Sequence, residues 1–490
     1  MSRPARSLNL DGSAVSSSWS RRAFLREAAT GLGPVALAWM LSSEMHARGA
    51  TARGLEGLHF PAKARRVVQV FAGGGMSHVD TFDYKPELAR RDGQELTGKG
   101  PIDTFFGRPG RIMPSPFAFR QHGQSGRWVS DLLPHLARCV DRITFLQGMV
   151  GKSSNHTTAT FLINSGFTMN GFPSLGAWLS YGLGTENQDL PTFVVLPDPR
   201  GLPAGGAINW TSGFLPATHQ GVAFRTAANP TTEPIPDLFP PAGIDPARRR
   251  DSLALLDAMN RDDQAAHPGD PQLAARIRAY ELAARMQVSV PEAIGLDSEP
   301  RSVRALYGLD DPATAGFGRN CLMARRLLER GVRFVQLFHG GAFGQPRINW
   351  DGHEDVRQNH LNQAASLDQP VAALLIDLEQ RGLLDDTLVV FTTEFGRTPF
   401  TEGIGGKGRD HHQLGFTCWL AGAGLKPGIA HGATDEVGYH AVEHPTTVYD
   451  LLATILHLLG IDHKRLTYYH NGINRRLTDV HGEVIRPILA

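Results

Sequence analysis

The chain has 490 residues, 41% hydrophobic and 20% charged, a balance that fits a folded protein with a large core and excludes a disordered one. Its 49 basic side chains meet 48 acidic ones, so no electrostatic excess draws it to nucleic acid or to anionic lipid. Three cysteines, Cys139, Cys321 and Cys418, are odd in number and far apart; no disulfide framework is expected and stability must come from the core.

The first element is an export signal. Ser20, Arg21, Arg22, Ala23, Phe24 and Leu25 resemble the twin-arginine consensus, after a polar stretch carrying Arg3 and Arg6. The apolar run from Ala28 to Leu41 follows, diluted by Thr30, Gly31, Gly33 and Pro34. It is shorter than the roughly 20 apolar residues that cross a bilayer, and no other segment comes closer, so the mature form is not expected to span a membrane. Small-residue cleavage sites ending at Ala47 or Ala52 assign 1–52 to the signal peptide. Residues 53–490 then form the mature domain, in the periplasm or extracytoplasmic space.

Short β-branched runs recur along the mature chain, at Val67 to Phe71, Ile143 to Leu146, Phe193 to Leu196, Val332 to Phe338, Leu388 to Thr392 and Phe416 to Leu420. Helix-length segments separate them, which predicts a single α/β domain with a mainly parallel central sheet covered by helices on both faces. The clearest helix runs from Asn359 to Arg381, with Leu361, Ala364, Ala365, Val371, Leu374, Leu375 and Leu378 as its apolar stripe and Gly382 as its stop. Another starts at Thr447, whose spacing to Asp450 resembles a capping box, and ends at Gly460. The Pro- and Gly-rich stretch 201–245 reads as an irregular excursion outside the sheet, and 251–288 as a helical insertion.

Chemistry concentrates late in the chain, where twelve of the twenty histidines lie beyond residue 330. Several follow predicted strands, the place where open α/β sheets put their ligand sites. One carboxylate and two imidazoles from separate loops, Asp351, His353 and His411, make a three-ligand set that leaves a coordination position open. Asp410 and Asp355 are candidates to fix the imidazole tautomers. Arg397 and Arg409 can hold an anionic group bidentately. His360, His431, His440, His444 and His457 read as surface or hydrogen-bonded histidines. No Gly-x-Ser-x-Gly elbow occurs, which removes the usual serine esterase.

The stretch DLEQRGLLDDTLVVFTTEFG, 377–396, resembles the segment of alkaline phosphatases and sulfatases that delivers an Asp-His-Gly metal motif. The whole mature chain resembles a family of unknown function, made of exported twin-arginine proteins and placed by fold in that superfamily. The motifs that carry this are AGGGMSHVDTFDYKP (72–86), SSNHTTATFLINSG (153–166), PSLGAWLSYGLG (173–184), NWDGH (349–353), EFGRTP (394–399) and GRDHH (408–412). The resemblance implies an acidic ligand after the first strand, Asp80 or Asp83. It implies a further ligand at Glu394, where Phe395 replaces the usual His and removes one donor of a two-metal site. A single divalent ion is therefore expected, zinc by the nature of its donors. The superfamily nucleophile falls near Asn155-His156, where Ser154 and Thr157 are the candidates; Ser153 and Thr158 flank them.

Two functions follow as expectations. The first is an exported metal-dependent hydrolase of a phosphate or sulfate ester, with an anionic small-molecule or polymer ester as substrate. The second is a non-catalytic exported binding protein that retains the fold and has lost the chemistry.

Overall fold

A computed structural model describes residues 57–490 except 226–234, 236–237, 239–244, 269 and 343–346. The twin-arginine segment and both cleavage positions lie outside the described residues.

The six β-branched runs all become strands of one sheet. In chain order its members are β1 (Arg66–Ala72), β2 (Ile143–Val150), β3 (Phe193–Leu196), β4 (Val222–Ala223), β5 (Phe334–His339), β6 (Thr387–Thr392), β9 (Phe416–Gly422), β10 (Ala430–His431) and β11 (Thr446–Thr447). Between β6 and β9, strands β7 (Gly396–Glu402) and β8 (Arg409–His412) leave it and form a small antiparallel sheet with Pro109–Ile112. The main order is β10-β2-β9-β6-β1-β5-β3-β4, with β11 also on β2. Pairing is parallel throughout except at β9, which runs against both β2 and β6.

The longer helices are α1 (His156–Ser165), α2 (Leu175–Leu183), α3 (Pro246–Ala266), α4 (Pro271–Ile294), α5 (Pro312–Glu329), α6 (Val356–Gln380) and α7 (Val448–Leu458). Strand alternation sorts the core into two layers. Val68, Val70 and Ala72 of β1 pack with Leu322 and Leu327 of α5 and Leu367, Leu374 and Leu378 of α6. Val67 and Phe71, pointing the other way, pack with Leu162 of α1, Trp178 of α2 and Leu452 and Ile455 of α7. Each buried side chain of this size contributes roughly 1.5–3 kcal/mol by leaving water. Both faces are therefore mainly apolar, with one buried polar group of Gln69, Gln336, Asn164 and Thr392 hydrogen-bonded to one another, and the loops at the strand ends are left for chemistry.

Helix α6 begins a turn earlier than its apolar stripe suggests, because Asp355 caps it by accepting the Gln358 N–H at 2.9 Å. The Thr447–Asp450 capping box is present at the start of α7. Two features of the excursion and insertion differ from the sequence reading. The region 201–245 is not wholly outside the sheet: Val222 and Ala223 pair with Val194 and Val195 and form a two-residue edge strand. A short edge of this kind covers β3 while offering little to a further strand. The helical insertion is longer than 251–288, comprising all of α3 and α4. Among the described residues no helix is long and apolar enough to cross a membrane.

Candidate metal centre

The parallel strands β1, β2, β5 and β6 all end at one edge of the sheet, and their loops build the site. Strand β5 ends at His339, Gly340–Gly341 turn the chain, and Asn349 pins its return by accepting the Asp351 N–H at 3.2 Å and donating to the Gly341 carbonyl at 2.9 Å. Trp350 is fully buried, with its indole N–H donated to His339 Nδ1 at 3.1 Å. Gly74, after β1, has φ +107°, and a Cβ there would meet the Trp350 and Asp351 amide nitrogens at 2.5 and 2.7 Å. Only glycine lets the two loops approach so closely.

From β2 the chain enters α1, capped by Asn155, whose side chain accepts the Thr157 and Thr158 N–H groups. His156 is the first helical residue and faces the same edge. From β6 the chain passes through Glu394 into β7. There Arg397 lies directly opposite His411 of β8 in the antiparallel register.

These loops bring five side chains to one point. Asp351 Oδ1 has His353 Nε2 at 2.8 Å, His411 Nε2 at 3.1 Å, His156 Nε2 at 3.2 Å and Arg397 Nη2 at 2.6 Å. His353 Nε2 and His411 Nε2 are themselves 2.8 Å apart. One ligand atom each of His156, Asp351 and His411 fall within 4.8 Å of one another. Around a tetrahedral zinc at about 2.1 Å such atoms stand roughly 3.4 Å apart, so the set fits an ion after small rotamer shifts.

The tautomers favour the same reading. His156 Nδ1 pairs with Glu394 Oε1 at 2.7 Å, His411 Nδ1 with the Ser154 carbonyl at 2.6 Å, and His353 Nδ1 with Glu402. An imidazole that donates its Nδ1 proton outward presents a bare Nε2 lone pair inward, as metal-ligating histidines do. His156 Nε2 is buried and, despite its closeness to Asp351, has no aligned hydrogen-bond partner. Arg397 supplies positive charge at the same point, with Nη2 2.6 Å from Asp351 Oδ1 and Nη1 donating to His353 Nε2.

Charge is distributed accordingly. Burial disfavours an ionised Asp351, but Arg397 and the three histidines outweigh it and hold the carboxyl far below its usual range. Burial also opposes protonation of His156, yet Asp351 and Glu394 raise it above the ordinary imidazole value. His411 is pushed down to about 3, by burial first and by Arg397 and His156, against Asp351, so it stays neutral.

Asp351, His353 and His411 are brought together; the other expected residues are placed differently. Glu394 lines the cleft one position back, accepting the Gly74 N–H at 2.8 Å and orienting His156. Asp80 is not at the centre: it is fully buried and both its oxygens pair with Arg409, at 2.7 and 3.1 Å. Those two residues answer each other, which also removes Arg409 as an anion clamp. Arg397 is no clamp either. Its five N–H groups go to the carbonyls of Gly74, Gly75 and Arg409, to Asp351 and to His353 Nε2. Ser154 contributes its carbonyl to His411, whereas Thr157, exposed near the start of α1, lines the cleft. Asp410 does not orient an imidazole; it accepts the backbone N–H groups of Phe105, Phe106 and His411. Asp355 caps α6. Phe395 packs against the rings of His156 and His411, at 4.9 and 4.7 Å.

The residue that the late-histidine pattern misses is His156, far upstream of the other three. Its signal was an Asn-His pair between a strand and a helix at the same sheet edge.

The chain belongs to the family described as protein of unknown function, DUF1501, whose pattern matches residues 64–489. No curated protein matches it. Similar solved structures include the lipoteichoic acid synthase LtaP from Listeria monocytogenes, with 11% identity, 82% of this chain and 74% of that chain covered, and a TM-score of 0.38. A phosphonate monoester hydrolase from Silicibacter pomeroyi has 14% identity, coverage of 73% and 71%, and a TM-score of 0.35. A sulfatase from Pseudoalteromonas sp. has 10% identity, coverage of 90% and 72%, and a TM-score of 0.35.

Proposed function

We propose that this DUF1501 chain is an exported, metal-dependent hydrolase of a phosphate or sulfate ester, with an alkaline phosphatase-like arrangement of its site. One observation carries the reading: three imidazoles, each with Nδ1 held by an outer acceptor, turn their Nε2 atoms toward a single oxygen of Asp351. His156, Asp351 and His411 would hold one divalent ion with His353 beside them, and nitrogen with carboxylate donors suits zinc. Bound there, the ion supplies Lewis-acid polarisation of an ester oxygen and a lowered pKa for water.

The chain's own groups supply the rest. Arg397 balances the negative charge of Asp351 and fixes the carboxylate's direction. The positive end of the α1 dipole lies at Thr157, where it favours an ester oxyanion, although Asn155 already takes the Thr157 and Thr158 N–H groups. Thr157 offers a hydroxyl at that helix start, beside the deeper Thr160 in the same cleft, and the attacking oxygen is either the Thr157 hydroxyl or water. Export by the twin-arginine route follows from residues 20–25, and would deliver the protein folded.

One observation favours a non-catalytic binding protein instead. Both arginines at the centre are engaged: Arg397 as above, and Arg347 with Asp351 and Glu354. Metal analysis of protein purified from the periplasm, followed by assays on phosphomonoester, phosphodiester and sulfate substrates, separates the two. Metal-free protein inert on all three classes sinks the hydrolase reading.

A further inference from the structure

Phe105 and Phe106 stand exposed at 41% and 46%, side by side on the rim of the cleft that holds Asp351 and His411. A contiguous pair of exposed aromatic rings at a cleft mouth is the kind of apolar patch that marks a ligand site. Neither is loosely placed. Their backbone N–H groups donate to Asp410 Oδ2 at 2.8 and 2.9 Å, and Asp410 precedes His411 directly. Phe105 stacks on the His411 ring, centroids 4.7 Å apart and planes at 30°, and Phe106 meets His353 edge-on at 5.2 Å. The inner sides of the pair thus cover imidazoles, and the outer sides face the cleft mouth.

The remaining walls restrict what lies against them. Pro203, Ala204 and Ala342 are small and apolar. Arg347 is the one lysine or arginine among the described lining residues, and it is engaged with Asp351 and Glu354. Among the described lining residues a second anionic group on the substrate would find no free lysine or arginine. The cleft, about 280 Å³, has room for one ring beside an ester.

We infer that Phe105 and Phe106 form a platform for the face of a ring, aromatic or pyranose, carried by the substrate next to its ester. The substrate is then an aryl or pyranosyl monoester and not a multiply charged polymer. This rests on the hydrolase reading for the ester, but not for the ring.

The test is calorimetric, on zinc-loaded protein, with methylphosphonate, phenylphosphonate and a C-glucosyl phosphonate as non-hydrolysable probes and phenyl β-glucoside as a neutral ring. Wild type is expected to bind phenylphosphonate or the glucosyl probe about tenfold more tightly than methylphosphonate; the tighter of the two names the ring. Phe105→Ala/Phe106→Ala should lose that preference in protein that still folds and carries zinc, and Phe105→Leu/Phe106→Leu, apolar but not flat, should recover little of it. If no phosphonate binds while phenyl β-glucoside does so in a manner abolished by the alanine pair, the ester reading fails and the platform stands. Equal affinity for all three phosphonates, with no difference between wild type and variants for the glucoside, overturns the platform.

Discussion

His411 Nε2 lies 3.1 Å from Asp351 Oδ1, although the two residues are sixty positions apart and reach the contact from different sheets. If that contact is half of a metal position, purified protein given zinc should carry about one ion per chain. Asp351→Ala and His411→Ala should each reduce the content to near zero by elemental analysis. His156→Ala should do the same, although it sits far upstream in the sequence. Wild type that takes up no ion removes the site.

The outer acceptors should matter less than the ligands, but measurably. Glu402 holds His353 Nδ1, so Glu402→Gln should weaken zinc binding by about 10- to 100-fold, the usual cost of an orienting partner. Competition with a chromogenic chelator measures this. Unchanged affinity would mean that His353 does not help hold the ion.

Gly74→Ala should both destabilise the protein and disturb the site. Positive φ alone costs about 1–2 kcal/mol, and overpacking against the Trp350 and Asp351 amides adds roughly 1–3 kcal/mol. Gly93, at φ +73° with nothing within 4 Å of an added Cβ, is the control for the first part. Urea unfolding that gives the same loss for Gly93→Ala and Gly74→Ala would contradict the close approach.

Asp80→Asn should lower stability by about 3–5 kcal/mol, because it leaves the fully buried Arg409 guanidinium without its carboxylate. Zinc stoichiometry of the folded protein should not change. A variant that stays stable but loses the ion would return Asp80 to the ligand set.

Acid should destabilise the fold through histidines held neutral. Burial, with smaller charge effects, pushes His339 and His360 down to about 3, and each accepts a hydrogen bond from the protein, from Trp350 and from the Ser77 backbone. Their folded values are depressed, so the unfolded chain binds more protons between pH 6.5 and 3. This stability is therefore complete above pH 6.5 and lost as pH falls toward 3. Each group contributes a slope of about 1.4 kcal/mol per pH unit inside that window. Denaturant titrations on metal-free protein should show it, with a shallower slope in His360→Gln. Constant stability from pH 6.5 to 4.5 would refute this.

Much of the framework was legible from the chain alone. Val67 to Phe71 and Leu388 to Thr392 are buried on both faces and so read as near-continuous apolar runs, as strands of a covered parallel sheet do. The Thr447–Asp450 cap and the stripe of α6 are local patterns, decided by neighbours three and four positions away. Asp351, His353 and His411 were visible because chemistry follows strands in such sheets. What the sequence could not carry was pairing across distance. That Asp80 answers Arg409, that Arg397 has no donor left for a substrate, and that His156 joins residues some 200 positions later depend on which loops meet at the sheet edge. So does the antiparallel turn of β9, since a strand's residues specify a buried pleat but not the direction of its neighbour. Residue types set what each position can do chemically; only the fold, by placing loops within 3 Å of one another, decides which of those capacities are already satisfied and which remain for a ligand.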